Sequence, residues 1–320
     1  MPRLLIALCS VLLAAPAALG QQSYPQKPIR YVVPFPAGGI ADVFARIIGG
    51  RIAEAWGQPV VVENRAGAGG NIGADFVAKA PPDGYTILMG SIGTQAVNAS
   101  LYRTMPYDSA KDFTAVALVI EAESLLALNP SVAAATPAEL IALARAQPGK
   151  LTCASAGVGT TSHLACELFK SMARADVTHV PYKGNVPAIT DLLGGQTSML
   201  FATMPTVLPH VKAGKLKGIA VLGAGRSPAA PEIPALAEAL PGFEVNNWVG
   251  TFGPAGMPAA ITAKLNSEIL STMRTPDVQQ RLLAEGARFT PMTPSQFSAF
   301  VAAETAKWGK LIREIGIRAD

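Results

Sequence analysis

The stretch most able to do chemistry in this chain runs from Pro34 to Asp42, Pro-Phe-Pro-Ala-Gly-Gly-Ile-Ala-Asp. Pro34 and Pro36 restrict the backbone and remove two donors. Gly38 and Gly39 allow angles that other residues resist and carry no side chain to block a ligand. Ile29 to Val33 reads as a strand leading in. Val43, Phe44, Ile47, Ile48 and Ile52 follow at the spacing of a buried helix face. The N–H groups after the glycines therefore sit at a helix N-terminus, where donors lack partners and the dipole is positive. An anion can bind there without a cationic side chain. Asp42, in the first turn, is expected to cap the helix and brace the loop rather than touch the anion. An ordinary strand-to-helix turn would show the same residue types.

A second stretch repeats this grammar. Leu151 to Ser155 reads as a strand. Ala156-Gly157-Val158-Gly159-Thr160-Thr161-Ser162-His163 follows, then a helix carrying Leu164, Leu168, Phe169 and Met172. Gly-rich turns also occupy Arg65 to Gly73 and Gly90 to Thr94. All four follow predicted strands, and in open α/β sheets the carboxyl ends of strands face the ligand crevice.

Other chemistries fit less well. Gly157-Val158-Gly159 lacks the third glycine of a dinucleotide loop, since Ser162 stands there. His163, His179 and His210 are far apart and share no metal-ligand spacing, so no metal site and no cofactor are expected. His163 is read as a hydrogen-bonded structural residue within the ligand loop. No serine occupies a Gly-x-Ser-x-Gly elbow. Lys183 reads as a solvated turn lysine, because nothing nearby would lower its pKa. Trp248 and Tyr182 either line a crevice or pack. Without a paired nucleophile and base, a binding protein is expected; an exported hydrolase or isomerase is the alternative.

The elements around these loops must position them. The chain has 320 residues, half of them apolar, enough for about two domains with separate cores. Net charge is +4, too small and too scattered for nucleic-acid recognition. Residues 1–20 read as a secretory signal, with Arg3, an apolar run from Leu4 to Leu13 and a small-residue end at Ala18-Leu19-Gly20. That run is shorter than the roughly 20 residues that span a bilayer, and Pro16 interrupts it. Export makes a Cys153–Cys166 disulfide feasible, from a strand to about one turn into the next helix. Two free buried thiols are equally compatible with the sequence.

Strands alternating with helices indicate a mainly parallel sheet covered on both faces. Phe113 to Leu128 is extended and apolar, and its end is read as a first crossing between domains. Val245 to Phe252 reads as the strand that returns. Residues 21–124 and 246–320 are assigned to one lobe and 125–245 to the other. A last helix from Pro294 to about Ile315 carries an apolar stripe that includes Phe297, Phe300, Trp308, Leu311 and Ile312.

With these segments placed, the chain resembles the Bug family, the TctC-like substrate-binding proteins of tripartite tricarboxylate transporters. The resemblance rests on Pro34-Phe35-Pro36-Ala37-Gly38-Gly39 with Asp42, on Val62-Glu63-Asn64-Arg65 before Gly67-Ala68-Gly69-Gly70-Asn71-Ile72-Gly73, and on Ala80-Pro81-Pro82-Asp83-Gly84-Tyr85. It continues through Pro106-Tyr107-Asp108, Lys111-Asp112-Phe113, Ser155-Ala156-Gly157, Ser162-His163-Leu164, Val180-Pro181-Tyr182-Lys183-Gly184 and Pro254-Ala255-Gly256. It covers essentially the whole mature chain.

The resemblance implies an α/β, two-lobed, type II periplasmic-binding-protein (Venus flytrap) fold with a small carboxylate held between the lobes. Backbone N–H groups and ordered water would hold it, from Phe35, Ala37, Gly38 and Gly39 on one side and Ser155, Gly157, Gly159, Thr160 and Thr161 on the other. The expected ligand set also takes in Gly70, Asn71, Ser91, Thr94, Tyr182 and Ala202. Many members have an acidic residue where this chain has Ala202, which argues against amino-acid ligands. The implied role is that of a monomeric periplasmic protein delivering its ligand to the integral membrane permease, or else a ligand-sensing partner of a membrane sensor kinase.

Overall fold

The computed structural model describes residues 24–182, 184–284 and 286–319. The expected leader and Lys183 lie outside the described residues.

The first lobe opens with β1 (Ile29–Val33), α1 (Ile40–Trp56), β2 (Val60–Asn64), α2 (Asn71–Ala78), β3 (Thr86–Ser91), the short α3 (Asn98–Leu101) and β4 (Phe113–Ala122). The second contains β5 (Ser124–Leu128), α4 (Pro137–Ala146), β6 (Thr152–Ser155), α5 (Thr161–Ala173), β7 (Thr178–Pro181), α6 (Asn185–Leu193), β8 (Met199–Thr203), α7 (Met204–Lys212) and β9 (Lys217–Val221). The chain then returns through β10 (Asn247–Pro254), α8 (Ala259–Met273), α9 (Pro276–Ala284), β11 (Ala287–Arg288) and α10 (Pro294–Ile315).

The first sheet has six strands in the order β11-β4-β10-β3-β1-β2, and the second has five in the order β7-β6-β8-β5-β9. β1 runs parallel to β2 and β3, and β6 parallel to β7 and β8. The strands next to the crossings run against their neighbours: β10 is antiparallel to β3 and β4, and β5 to β8 and β9. Only Glu123 separates β4 from β5. Its N–H donates to Gly286 O at 3.0 Å, and its carbonyl accepts from Met204 N–H at 2.8 Å. The first crossing is thus held by backbone bonds on both sides. On the return path Val245 N–H still bonds Leu222 O of the second lobe, two residues before β10 begins.

Burial explains the strand composition. Ile29, Tyr31, Val32 and Val33 of β1 are all fully buried, as they must be in a sheet with helices on both faces. On α1, Phe44, Ala45, Ile48 and Ile52 face the core, and Gly57 ends the helix in the left-handed conformation. The stripe on α10 buries Phe297, Trp308, Leu311 and Ile312. Trp248, left open by the sequence, belongs to the core: it is 1% exposed, its ring is 5.5 Å from that of Phe300, and its Nε1–H donates to Glu304 Oε2. Among the described residues, no helix is long and apolar enough to cross a membrane.

Candidate ligand cleft between the lobes

The β1–α1 loop is braced from behind. Asp42 is buried, and its Oδ2 accepts from Gly38 N–H at 2.9 Å. Oδ1 accepts from Arg46 at 2.9 Å and from Asn64 Nδ2 at 2.9 Å, and Asn64 also donates to Phe35 O. The Arg46 hydrogen bond leads in pulling the Asp42 carboxyl down to about 2, so it stays ionised at neutral pH. Gly39 is the N-cap of α1 and supplies no side-chain cap. The first-turn donors of α1 therefore have neither a capping side chain nor a carbonyl one turn back.

The Gly-rich loop before α2 supports this wall. Gly70 has φ +94, and a β-carbon there would overlap Thr94 and press on the Phe35 ring. Asn71 Oδ1 accepts from Asn98 Nδ2 at 2.7 Å and lies 2.9 Å from the Tyr107 hydroxyl. Thr94 Oγ1 accepts from Ser91 N–H at 3.0 Å. Asn71 and Thr94 are buried and work as braces behind the cleft.

The β6–α5 loop is more tightly wired. Thr160 caps α5 by accepting from His163 N–H. Ala156 N–H donates to Ser162 Oγ, Gly157 N–H to Ser155 Oγ, and Gly159 N–H to His163 Nδ1 at 3.0 Å. His163 thus takes a structural hydrogen bond within the β6–α5 loop. The expected donors Gly38, Gly157 and Gly159 are therefore engaged inside the protein. At the start of α5, Thr160 N–H also donates to Gly157 O, and His163 N–H is held by Thr160.

Two expectations about side-chain pairing need correction. His163 and His179 are far apart in sequence, yet their rings stack 4.0 Å apart at 16°. The reason is strand register: β7 pairs with β6 so that His179 lies opposite Cys153, and α5 leaves the end of β6. A serine and a histidine also meet, since Ser155 Oγ and His179 Nε2 share a 2.6 Å hydrogen bond. Ser155 is completely buried, so this hydroxyl holds the loop and is closed to a substrate. His163, Glu167 and His179 bring ligand atoms within 4.8 Å of one another. Near-parallel imidazoles do not aim their in-plane lone pairs at one point, and Glu167 already pairs with Lys170 at 2.9 Å. Burial, then His179 and Lys170, pushes the His163 pKa down to about 4, so both stacked rings are neutral at pH 7. Cys153 and Cys166 are paired as a disulfide with Cα atoms 6.4 Å apart, bracketing the same loop.

Between the lobes lie two adjacent chambers. The larger, about 300 Å³, takes Phe35, Gly39 and Ser91 from the first lobe and Gly159, Thr160 and Thr161 from the second. The smaller, about 110 Å³, includes Ser124, Asn185, Ala202 and Thr203. Thr160, Thr161 and Asn247 border both. Of the other expected residues, Ala37 and Gly38 are exposed beside the cleft, and Gly70, Asn71, Thr94 and Ser155 are buried behind it. Gly157 also serves the loop from within. Tyr182 donates to Asp191 at 2.7 Å, and burial together with this bond pushes its phenol up to about 12.

Sequence reasoning missed Ile92, Val97, Asn98, Leu164, Asn247 and Val249 on these walls. One signal was available. Along β10 the side chains alternate, so Asn247 and Val249 face the cleft while Trp248 faces the core.

The fold and cleft are those of a two-lobed solute-binding protein, and comparison with known proteins agrees. The model of the tripartite tricarboxylate transporter family receptor (TctC) matches residues 44–317. BugT of Bordetella pertussis is 38% identical over 304 residues, spanning 94% of this chain and 93% of BugT. A protein from the tcbD-tcbE intergenic region of Pseudomonas sp. (strain P51) is 41% identical over 300 residues, 93% of this chain and 89% of that protein. Among solved structures, an R. palustris protein with adipate matches with a TM-score of 0.83 at 37% identity, over 92% of this chain and 99% of that one. MatC from Rhodopseudomonas palustris with bound malate matches at 0.79 and 34%, over 90% and 100%. This chain belongs to the tripartite tricarboxylate transporter receptor family.

Proposed function

We propose that this protein captures a small carboxylate between its lobes and delivers it, unchanged, to the integral membrane permease of a tripartite tricarboxylate-type transporter. The observation that carries this reading is the meeting of two helix starts. Gly39, Ile40 and Ala41 at the start of α1 and Thr160 and Thr161 at the start of α5 come from different lobes and border the same chamber. One carboxylate can accept from both, directly or through water. A ligand that touches both lobes favours the closed arrangement, because only differential contact shifts such an equilibrium. The relatives solved with adipate and malate support a carboxylate, and the leader-like N-terminal sequence supports a periplasmic protein. Ala202 on the smaller chamber offers an ammonium group no carboxylate, so amino acids should bind more weakly than simple carboxylates.

Calorimetry with a carboxylate panel, together with solution scattering, tests the proposal. The expected result is one-to-one binding, ligand recovered intact and a compacted protein. Chemical conversion of the ligand, or binding without compaction, would overturn it.

A further inference from the structure

We infer that the preferred ligand is a monocarboxylate with a compact apolar body rather than a dicarboxylate. The inference rests on the carboxylate-capture reading and adds what the rest of the ligand must be. Away from the helix starts, the larger chamber is walled by Phe35, Ile40, Ile92, Val97, Leu164 and Val249. Its polar side chains are few and uncharged: Ser91, Asn98, Tyr102, Thr160, Thr161 and Asn247. Asn98 Nδ2 donates to Gly69 O at 3.2 Å and to Asn71 Oδ1, and Ser91 Oγ accepts from Thr94 N–H at 3.3 Å. Burial raises the pKa of the Tyr102 phenol, also on this wall, so the group is neutral at pH 7. Among the described residues, the lining carries no charged side chain.

An apolar body gains from these walls in proportion to the area it buries. An engineered apolar cavity of roughly 150 Å³ is known to take benzene. A chamber of about 300 Å³ therefore has room for a carboxylated six-membered ring with substituents. A second carboxylate in the same place would lose its hydration and find no cation. Nor does the smaller chamber suit it. That space adjoins the first carboxylate's site at Thr160 and Thr161, so two anions would lie side by side. Two of its hydroxyls are bonded within the loop: Ser162 Oγ accepts from Ala156 N–H and lies 2.9 Å from Thr160 Oγ1. A neutral substituent or water fits there better than a charge.

The test compares benzoate and cyclohexanecarboxylate with adipate and malate by calorimetry at pH 7 and constant salt. The two monocarboxylates should bind tighter by about tenfold or more. A diacid tighter than both would overturn this inference and leave carboxylate capture standing. No binding of any of the four would overturn the capture reading itself, and the inference with it. A variant gives an independent check. Val158 lines the chamber and is 44% exposed, so Val158→Lys places an ammonium there with little risk to the fold. The variant should shift the benzoate-to-adipate preference towards adipate by about tenfold. An equal response of both ligands would overturn the placement of the apolar body in this chamber.

Discussion

Gly159 of the second lobe lies against Leu101 of the first, so that a β-carbon added at 159 would run into Leu101 Cδ2. Gly159 also has φ +79, a left-handed conformation that costs other residues about 1–2 kcal/mol. The position is therefore demanding twice over, once within its own loop and once across the cleft. The C-terminal segment joins the same contact, since Ala319 N–H donates to Leu101 O at 3.1 Å.

Gly159→Ala should wedge the lobes apart. Ligand-induced compaction in solution scattering should be lost, and affinity should fall by about tenfold or more, as expected for a disturbance of at least about 1.4 kcal/mol. Adding Leu101→Ala should restore part of the closure by removing the clash while leaving the backbone strain. A Gly159→Ala protein that compacts like the parent would show that this contact does not govern closure.

Asp42 makes a second prediction. Its folded pKa, about 2, lies below its ordinary 3.8. A depressed carboxyl contributes stability that is present above the unfolded value and lost as pH falls from about 4 towards 2. Asp42→Asn cannot accept from Gly38, Asn64 and Arg46 together, because one of its side-chain atoms has become a donor. The expected loss is about 2 kcal/mol, a typical figure for hydrogen bonds to a charged group. Thermal melts from pH 2 to pH 7 should show a lower Tm for the variant near neutrality and a flatter acid limb. Equal melting curves for both proteins would contradict this.

His163 titrates the other loop. Its folded pKa of about 4 lies below its ordinary 6.5, so the unfolded chain takes up the proton first. Stability from the neutral ring is complete above pH 6.5 and declines as pH falls towards 4. Protonation would also turn Nδ1 from acceptor into donor and break its bond to Gly159 N–H. The ring is faced by His179 on β7 and by Glu167 and Lys170 on its own helix. His163→Asn keeps a side-chain acceptor without a titrating ring, so it should bind ligand with a weaker pH slope. His163→Leu should lose affinity at every pH. An unchanged slope in the Asn variant would remove His163 from this role.

Local sequence chemistry determined a good deal by itself. Pro34 to Asp42 announces a strand, a loop and a helix start, because backbone restriction, glycine freedom and apolar spacing all act within a few residues. The alternation of strands and helices, the stripe on α10 and the ordered family motifs are legible for the same reason. Only the tertiary structure decided which loop donors are already spent. Gly159 N–H goes to His163, and His163 meets His179 because strand register sets β7 beside β6. It also turned Asn247 and Val249 to the cleft and Trp248 to the core, and set Gly159 on Leu101. Such pairings depend on register and on how the two lobes come together, and no window of neighbouring residues contains that information.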